Sequence, residues 1–128
     1  MVVELNVPDY TYRIKEVVRV IDGDTVDVII DLGFYLSARK RIRFLNIDTY
    51  ELRGGTDETK VLAKAAKARL EELLATPDSK IYIRTEMDDT GKYGRLLGRL
   101  YVMRNSDGFI IDINHVLLEE GFVEHVFE

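Results

Sequence analysis

Three short polar segments hold the side chains in this 128-residue sequence that are suited to chemistry. In chain order they are Asp22-Gly23-Asp24-Thr25, the stretch from Arg43 to Glu51, and Lys92-Tyr93-Gly94-Arg95. Each lies at the end of a predicted strand. Each also has an ordinary structural interpretation, since Asp-Gly is a strong signal for a hairpin turn and charged residues are common in loops beside strands. Their combination, rather than any one of them, indicates a site.

The acidic residues of these segments are suited to binding a metal ion. Asp24 and Asp48 lie at the ends of neighbouring predicted strands, so their carboxylates can converge. Carboxylate, carbonyl and water oxygens suit a hard cation, and a flexible set of loop ligands favours Ca²⁺ over Mg²⁺. Glu51 follows Asp48 closely enough to accept a proton from a water molecule beside that metal.

Two arginines could complete a phosphate site. The planar guanidinium groups of Arg43 and Arg95 can straddle a phosphate. Strand alternation puts Arg43 on the same face as Ile47, so Arg43 would line the barrel if that face points inward. A cation, a base for water and two guanidinium groups are together what hydrolysis of a phosphodiester requires.

The composition is typical of a single globular domain, which we assign to residues 1–128. No stretch is apolar enough to cross a bilayer. The first residues lack the basic and apolar regions of a signal peptide, so we expect a cytoplasmic protein, although a secreted form with its signal removed would look the same. The sequence has no cysteine and two histidines. A zinc cluster is therefore excluded, and any metal must be held by oxygen. We expect a monomer with no membrane partner.

The net charge of −5 is concentrated at one end of the sequence. Residues 110–128 hold five acidic residues and no lysine or arginine. The remainder of the chain therefore carries equal numbers of acidic and basic residues. A net-acidic protein that binds nucleic acid needs a focused positive surface, because it has no general attraction to phosphate.

Hydrophobic periodicity predicts a mainly β protein with some α structure. Three strands are expected between Tyr12 and Ile47, with a turn at Asp31-Leu32-Gly33 and a continuous third strand from Phe34 to Ile47. The pattern then predicts a helix over about 57–75, strands over 81–85 and 96–103, and a short C-terminal helix capped by Asp112 that extends through Glu120.

This order predicts a five-stranded barrel of the OB type, because its one sizeable helix lies between the third and fourth strands. Such barrels leave one open face, which is a common site for oligonucleotides. The apolar face of the main helix is expected to hold Leu62, Ala65, Ala66, Leu70, Leu73 and Leu74.

The motifs and their order resemble the staphylococcal nuclease (thermonuclease) family. The resemblance rests on Asp-Gly-Asp-Thr, then Arg-x4-Asp-Thr-x-Glu, then a helix, then Lys-Tyr-Gly-Arg, and it extends from about Val17 to Gly121. It implies a calcium-dependent nuclease of the OB-fold type, with Mg²⁺ as a poorer substitute. Such an enzyme acts on single-stranded or unwound DNA and RNA with little sequence preference, and water attack gives products with 3′-phosphate ends.

The resemblance also implies roles for individual acidic residues. Asp24 and Asp48 match the family's metal-binding carboxylates, and Thr49 matches the residue whose backbone carbonyl binds the metal. Glu51 matches the family's general base. Asp22 matches a nearby acid that is not a direct metal ligand, and we keep it outside the catalytic set.

Basic and aromatic residues match the family's substrate-binding positions. Arg43 and Arg95 match the arginines that bind the phosphate and stabilise the developing charge. Lys92 and Tyr93 match positions that contact the terminal phosphate of the substrate. Tyr50 lies where the family usually has proline, so the loop before Glu51 is less restricted here.

Two further functions are compatible with the sequence. The first is a catalytically weak or inactive OB-type module that binds nucleic acid or protein. The second is a calcium-stabilised structural domain, in which the arginines would have no purpose. Degenerate copies usually lose an arginine or a metal-binding acid. This sequence keeps Asp24, Arg43, Asp48, Glu51 and Arg95, which favours the enzyme.

Overall fold

The computed structural model describes residues 10–87 and 96–127 of the chain. Within these ranges there are eight strands and two helices. The strands are β1 (Thr11–Asp22), β2 (Thr25–Gly33), β3 (Leu36–Phe44), β4 (Ile47–Thr49), β5 (Ser79–Met87), β6 (Leu96–Arg104), β7 (Ile110–Asp112) and β8 (Val123–Val126), and the helices are α1 (Asp57–Leu74) and α2 (Ile113–Glu119). No helix in the described ranges is long and apolar enough to span a membrane.

Five of the strands form a closed barrel. The main sheet has the order β3-β2-β1-β5-β6-β7, with neighbouring strands antiparallel. A parallel pairing between β3 and β6, which sets Ile42 opposite Leu96 and Phe44 opposite Gly98, joins the two ends and closes the barrel. Strands β4 and β8 form a separate pair. The predicted OB-type barrel is confirmed, and α1 lies between its third and fourth strands.

The barrel interior is filled by apolar side chains from all five strands and closed by the helices. The core is the set Ile14, Val26, Val28, Ile30, Ile42, Phe44, Ile47, Leu70, Leu73, Ile83, Leu100, Val102, Ile113 and Leu117. The alternation of buried residues along β2 and β3 is the period-two pattern that the sequence showed. It places residues 26, 28 and 30 of β2 and residues 42 and 44 of β3 inside.

The predicted continuous third strand is wrong, because the chain breaks its extended conformation at Asn46. Asn46 has a φ of +65°, a left-handed conformation that asparagine tolerates better than most residues. The break resets the alternation, so Ile42, Phe44 and Ile47 are all buried. Arg43 therefore faces out of the barrel and does not line its interior.

The turn between β2 and β3 also lies further along than predicted. Strand β2 continues through Gly33, and the turn is made by Phe34 and Tyr35, which have φ values of 53° and 62°. Positive φ at both central residues is the pattern of a two-residue type I′ hairpin turn, in which Asn and Gly are strongly preferred. Two aromatic residues occupy these positions instead and are exposed to solvent.

Helix α1 begins at a capping box. The hydroxyl of Thr56 accepts from the backbone N–H of Thr59, and the Thr59 hydroxyl accepts from the backbone N–H of Thr56. The predicted start and end of the helix are confirmed. Its buried face is Ala63, Ala66, Leu70 and Leu73, so the prediction that Leu62 faces the core is wrong, since Leu62 is exposed.

Gly23 allows α1 to approach the turn between β1 and β2. A Cβ atom at this position would lie 2.7 Å from the Ala66 Cβ and 2.9 Å from the Thr49 Oγ1. Because the Ala66 Cβ is attached directly to the helix backbone, it cannot move aside without moving the helix.

Gly23→Ala is therefore expected to lower the free energy of unfolding by about 1–3 kcal/mol, the usual cost of overpacking. Urea denaturation measures this. The double variant Gly23→Ala/Ala66→Gly removes the clash with Ala66 and keeps the one with Thr49. We expect its loss to be smaller than the sum of the two single losses, even though glycine in a helix costs about 1 kcal/mol. A loss in the double variant equal to the sum of the two single losses would show that the side chains at positions 23 and 66 do not clash.

Candidate functional site

Arg43 is at the centre of a cluster assembled from three separate parts of the chain. In β3 it pairs in register with Thr25 at the start of β2. Its Nη1 contacts the Asp24 Oδ2, and its Nη2 contacts the Asp48 Oδ1. The Nη1 contact is an ion pair without hydrogen-bond geometry. The predicted convergence of Asp24 and Asp48 is therefore present, with a guanidinium between the two carboxylates.

The carboxylate of Asp24 is fixed in position by backbone and side-chain donors. The backbone N–H of Thr49 donates to its Oδ2 at 2.9 Å, and the Thr25 hydroxyl donates to its Oδ1 at 2.9 Å. The backbone N–H of Phe44 donates to the Asp24 carbonyl at 2.8 Å. These bonds tie the β1–β2 turn to β3 and β4, so the Asp24 carboxylate cannot move away without breaking the local fold.

Thr49 follows Asp48 in β4 and bonds to Asp24 through its backbone N–H. It is 1% exposed, and its Oγ1 has no hydrogen-bond partner in the part of the chain that the structure describes. Strand β8 holds the segment in place, with Asp48 opposite His125 and Thr49 opposite Val123. The short strand β4 thus presents Asp48 to the cleft while burying the threonine side chain.

The cluster opens into a cleft of about 690 Å³. Glu51 is exposed at this cleft, in the loop between β4 and α1, and Tyr50 beside it is half-buried. The residues that line the cleft are Asp22, Asp24, Thr25, Lys40, Arg41, Arg43, Asp48, Tyr50, Glu51 and Leu96. It therefore combines four carboxylates with three cationic side chains.

Asp22 lies in a position where negative charge is unfavourable. Burial raises the pKa of its carboxyl group above the ordinary value, and the neighbouring Asp24 raises it further. The positive charges of Lys67, Arg43 and Arg53 act in the opposite direction on the same pKa. An additional cation near Asp22 and Asp24 would be favourable for the same electrostatic reason.

The donor chemistry of the cluster fits a hard cation. Asp24 and Asp48 contact one guanidinium, so both carboxylates can reach one centre of positive charge. No three His, Asp or Glu side chains among residues 10–87 and 96–127 are arranged to hold a metal ion together. A metal bound by Asp24 and Asp48 would therefore need oxygens from the backbone or from water as well, and it would compete with Arg43 for the carboxylates.

Lys40 and Arg41 line the cleft although the sequence interpretation did not single them out. The signal was available, since the run Arg39-Lys40-Arg41 leads directly to Arg43. Arg41 forms a bidentate ion pair with Asp27, through Nε to Oδ1 at 2.8 Å and Nη2 to Oδ2 at 3.1 Å. Three predicted site residues, Lys92, Tyr93 and Arg95, lie outside the described residues, and their roles stay predictions.

The Asp27–Arg41 pair gives stability a pH dependence. The hydrogen bond from Arg41 lowers the pKa of the Asp27 carboxyl below its ordinary value of 3.8. A carboxyl with a lowered pKa in the folded state stabilises the protein above its ordinary pKa, and this contribution is lost as the pH falls through the lowered value.

Asp27→Asn is therefore expected to lower the free energy of unfolding at pH 7, with the difference from wild type shrinking as the pH falls below about 3.8. Urea denaturation at a series of pH values measures the difference. Asp57→Asn, at the exposed start of α1, is the control. A difference from wild type that stayed constant down to pH 2.5 would contradict this account.

Comparisons with known proteins agree with the fold and the motifs. Residues 41–128 match the family model for staphylococcal nuclease homologues. The chain is 34% identical over 87 residues to Protein ParB of Escherichia coli, covering 68% of this chain and 41% of that protein. It is 28% identical over 124 residues to Micrococcal nuclease of Shigella flexneri, covering 94% of this chain and 63% of that protein.

The matched region includes most of the candidate site. Arg43, Asp48, Thr49 and Glu51 lie inside the range of the family model, whereas Asp24 lies before it. The match to Micrococcal nuclease extends over nearly the whole chain. The chain spans less than two thirds of the length of either relative.

Proposed function

Because this chain belongs to the staphylococcal nuclease homologue family, we propose that it is a calcium-dependent endonuclease that hydrolyses phosphodiester bonds with little sequence specificity. Its substrates are single-stranded or unwound DNA and RNA. The observation that carries the proposal is the convergence of Asp24 and Asp48 on Arg43 beside an open cleft. Carboxylates for a cation and a guanidinium for phosphate are the two requirements of metal-assisted phosphoryl chemistry, and they occur here in one place.

The carboxylates of Asp24 and Asp48 and the backbone carbonyl of Thr49 are the groups that would hold Ca²⁺, with Mg²⁺ as a poorer substitute. A bound Ca²⁺ supplies positive charge that offsets the charge of the phosphate. The hydrogen bonds from Thr49 and Thr25 hold the Asp24 carboxylate in place before any ligand binds. Asp22 adds negative charge without being a ligand.

Arg43 is the group that binds the scissile phosphate. Its guanidinium is held at the cleft by two carboxylates, so its position is set while its charge is compensated. Phosphate oxygens compete with these carboxylates for its N–H donors, and binding of a cation by the carboxylates favours that exchange. Arg95 is the second arginine of this arrangement, and Lys92 and Tyr93 contact the terminal phosphate.

Glu51 is the general base. It is exposed at the cleft, where its carboxylate has access to water. In the proposed reaction Glu51 accepts a proton from water as the water oxygen bonds to phosphorus. The bond from phosphorus to the 5′-oxygen breaks, and the leaving oxygen takes a proton from solvent water, so the products carry a 3′-phosphate and a 5′-hydroxyl.

An OB-type module that binds nucleic acid without cleaving it is the second candidate. It is favoured by the same ion pairs, because a guanidinium already neutralised by Asp24 and Asp48 has little free charge to offer a transition state. The two candidates differ in whether a cation releases Arg43. Cleavage that depends on calcium distinguishes them.

The test is cleavage of end-labelled single-stranded DNA and RNA in calcium, in magnesium or in chelator. We expect cleavage with calcium that is lost in chelator and in Arg43→Ala. Arg84→Gln removes an exposed arginine from β5, away from the cleft, and should leave cleavage unchanged. Binding of the oligonucleotides without cleavage under every condition would favour the binding module.

A further inference from the structure

The outward face of β3 carries an arginine at every second position. Ile42 and Phe44 point into the barrel, so Arg39, Arg41 and Arg43 point out. We call these three residues the arginine row. Neighbouring members are about 6.6 Å apart along the strand, because each residue advances an extended chain by about 3.3 Å.

Positive charge is in local excess around Arg39 and Arg41, the two members of the row that lie beyond the carboxylates of the candidate site. They share the carboxylate of Asp27, which is opposite Arg41 in β3, with Arg19 in β1. Each of these three arginines lowers the pKa of Asp27. Arg43, by contrast, is compensated by two carboxylates of its own.

Arg41 is held so that part of its guanidinium stays available. Its bidentate contact with Asp27 uses the edge formed by Nε and Nη2, and its side chain remains 61% exposed. The other edge of the planar group therefore faces away from Asp27, with N–H donors directed outward. A guanidinium anchored on one edge is ordered before it binds a phosphate on the other, which lowers the entropic cost of binding.

The arginine row begins in the candidate site and extends towards the turn at Phe34 and Tyr35, which we call the aromatic turn. Arg41 and Arg43 both line the cleft, and Arg39 continues the line along β3. Beyond it lie Phe34, 92% exposed, and Tyr35, fully exposed.

These aromatic side chains occupy backbone positions with positive φ that favour Asn and Gly. A conformation that is unfavourable for the residue present is typical of a functional position.

We propose that the arginine row and the aromatic turn form an extended binding track for single-stranded nucleic acid, along which successive phosphates contact Arg43, Arg41 and Arg39 and an unpaired base stacks at Phe34 or Tyr35. The proposal rests on the proposed function, since it extends the same cleft. Charge complementarity and continuity with the cleft identify the occupant. Stacking platforms beside a positive groove are the usual means of holding single strands without sequence preference.

The test is binding of labelled oligothymidylates of about four and about twelve nucleotides, which bracket the usual site size of an OB barrel. Fluorescence anisotropy is measured with calcium in the Glu51→Gln background, so that cleavage does not consume the ligand. Each phosphate contact to a single strand contributes a slope of about −0.7 to log affinity against log salt. The affinity of Arg39→Gln for the longer oligomer, divided by that of the protein with Arg39 intact, should therefore fall about 5-fold when the salt concentration is lowered from 0.5 M to 0.05 M. Arg84→Gln is the control.

A second variant separates binding from folding. Phe34→Asn/Tyr35→Gly introduces the residues that a type I′ turn prefers, so it should raise the free energy of unfolding. Loss of stacking should at the same time lower affinity for the longer oligomer by at least about 5-fold, and affinity for the shorter one should change little. A turn with only a structural role would gain stability without losing affinity.

Three results would overturn the proposal. If Arg39→Gln behaves as Arg84→Gln at both lengths while the oligomers still bind, the track is wrong and the proposed function stands. Unchanged affinity of Phe34→Asn/Tyr35→Gly for the longer oligomer would also exclude the aromatic end of the track. If neither oligomer binds, the track and the proposed function both fail.

Discussion

Replacing Arg43 with alanine is expected to lower kcat for cleavage of single-stranded DNA by about 10²–10³-fold, the usual cost of removing one donor to a developing oxyanion. The expected loss is in kcat because the arginine is matched to charge that increases as the phosphorus centre is attacked. Single-turnover cleavage with calcium at saturation measures it.

Arg43→Lys is the informative companion to this variant. It keeps the positive charge but loses the planar group that reaches Asp24 and Asp48 together. Compared with Arg43→Ala, we expect Arg43→Lys to recover more of the free energy of unfolding than of kcat. Wild-type turnover in Arg43→Ala, with Arg84→Gln as the reference, would exclude Arg43 from the chemistry.

Arg43→Ala is also expected to lower the free energy of unfolding. Without the guanidinium, the carboxylates of Asp24 and Asp48 are left without the cation that now lies between them, and Asp24 is buried. A buried charge that has lost its partner is strongly destabilising. Thermal unfolding of Arg43→Ala should therefore show a larger stabilisation by calcium than that of wild type, if the carboxylates bind the cation.

Glu51→Gln is expected to lower kcat by about 10²–10⁴-fold, because glutamine cannot accept the proton from the attacking water. Binding should be kept, since Glu51 is exposed and no hydrogen bond from the described residues fixes its side chain. The rate at saturating substrate and the affinity for the oligonucleotide measure the two effects.

Glu58→Gln is the matched control for this variant. Glu58 is an exposed acid in the first turn of α1 and does not line the cleft. It should leave kcat unchanged. A Glu51→Gln enzyme with the wild-type kcat would show that another group accepts the proton.

Much of the fold could be predicted because its signals are local. The alternation along β2 and the cap at Asp112 each depend on residues within a few positions of one another. The break at Asn46 could not be predicted this way, since alternation assumes an extended backbone and a single left-handed residue resets it. The same limit applies to Leu62, because helical periodicity gives an apolar face but not its rotation against the barrel.

The candidate site shows the same division. The sequence by itself determined which side chains are present and the order of the elements that carry them, because composition, periodicity and motif spacing are properties of the chain alone. Only the tertiary structure decided that Asp24 and Asp48 contact the same guanidinium, and that Arg43 faces outward with Arg41 and Arg39. Those contacts depend on the register between β2 and β3 and on the break at Asn46. Both are set by packing of the whole barrel rather than by neighbouring residues.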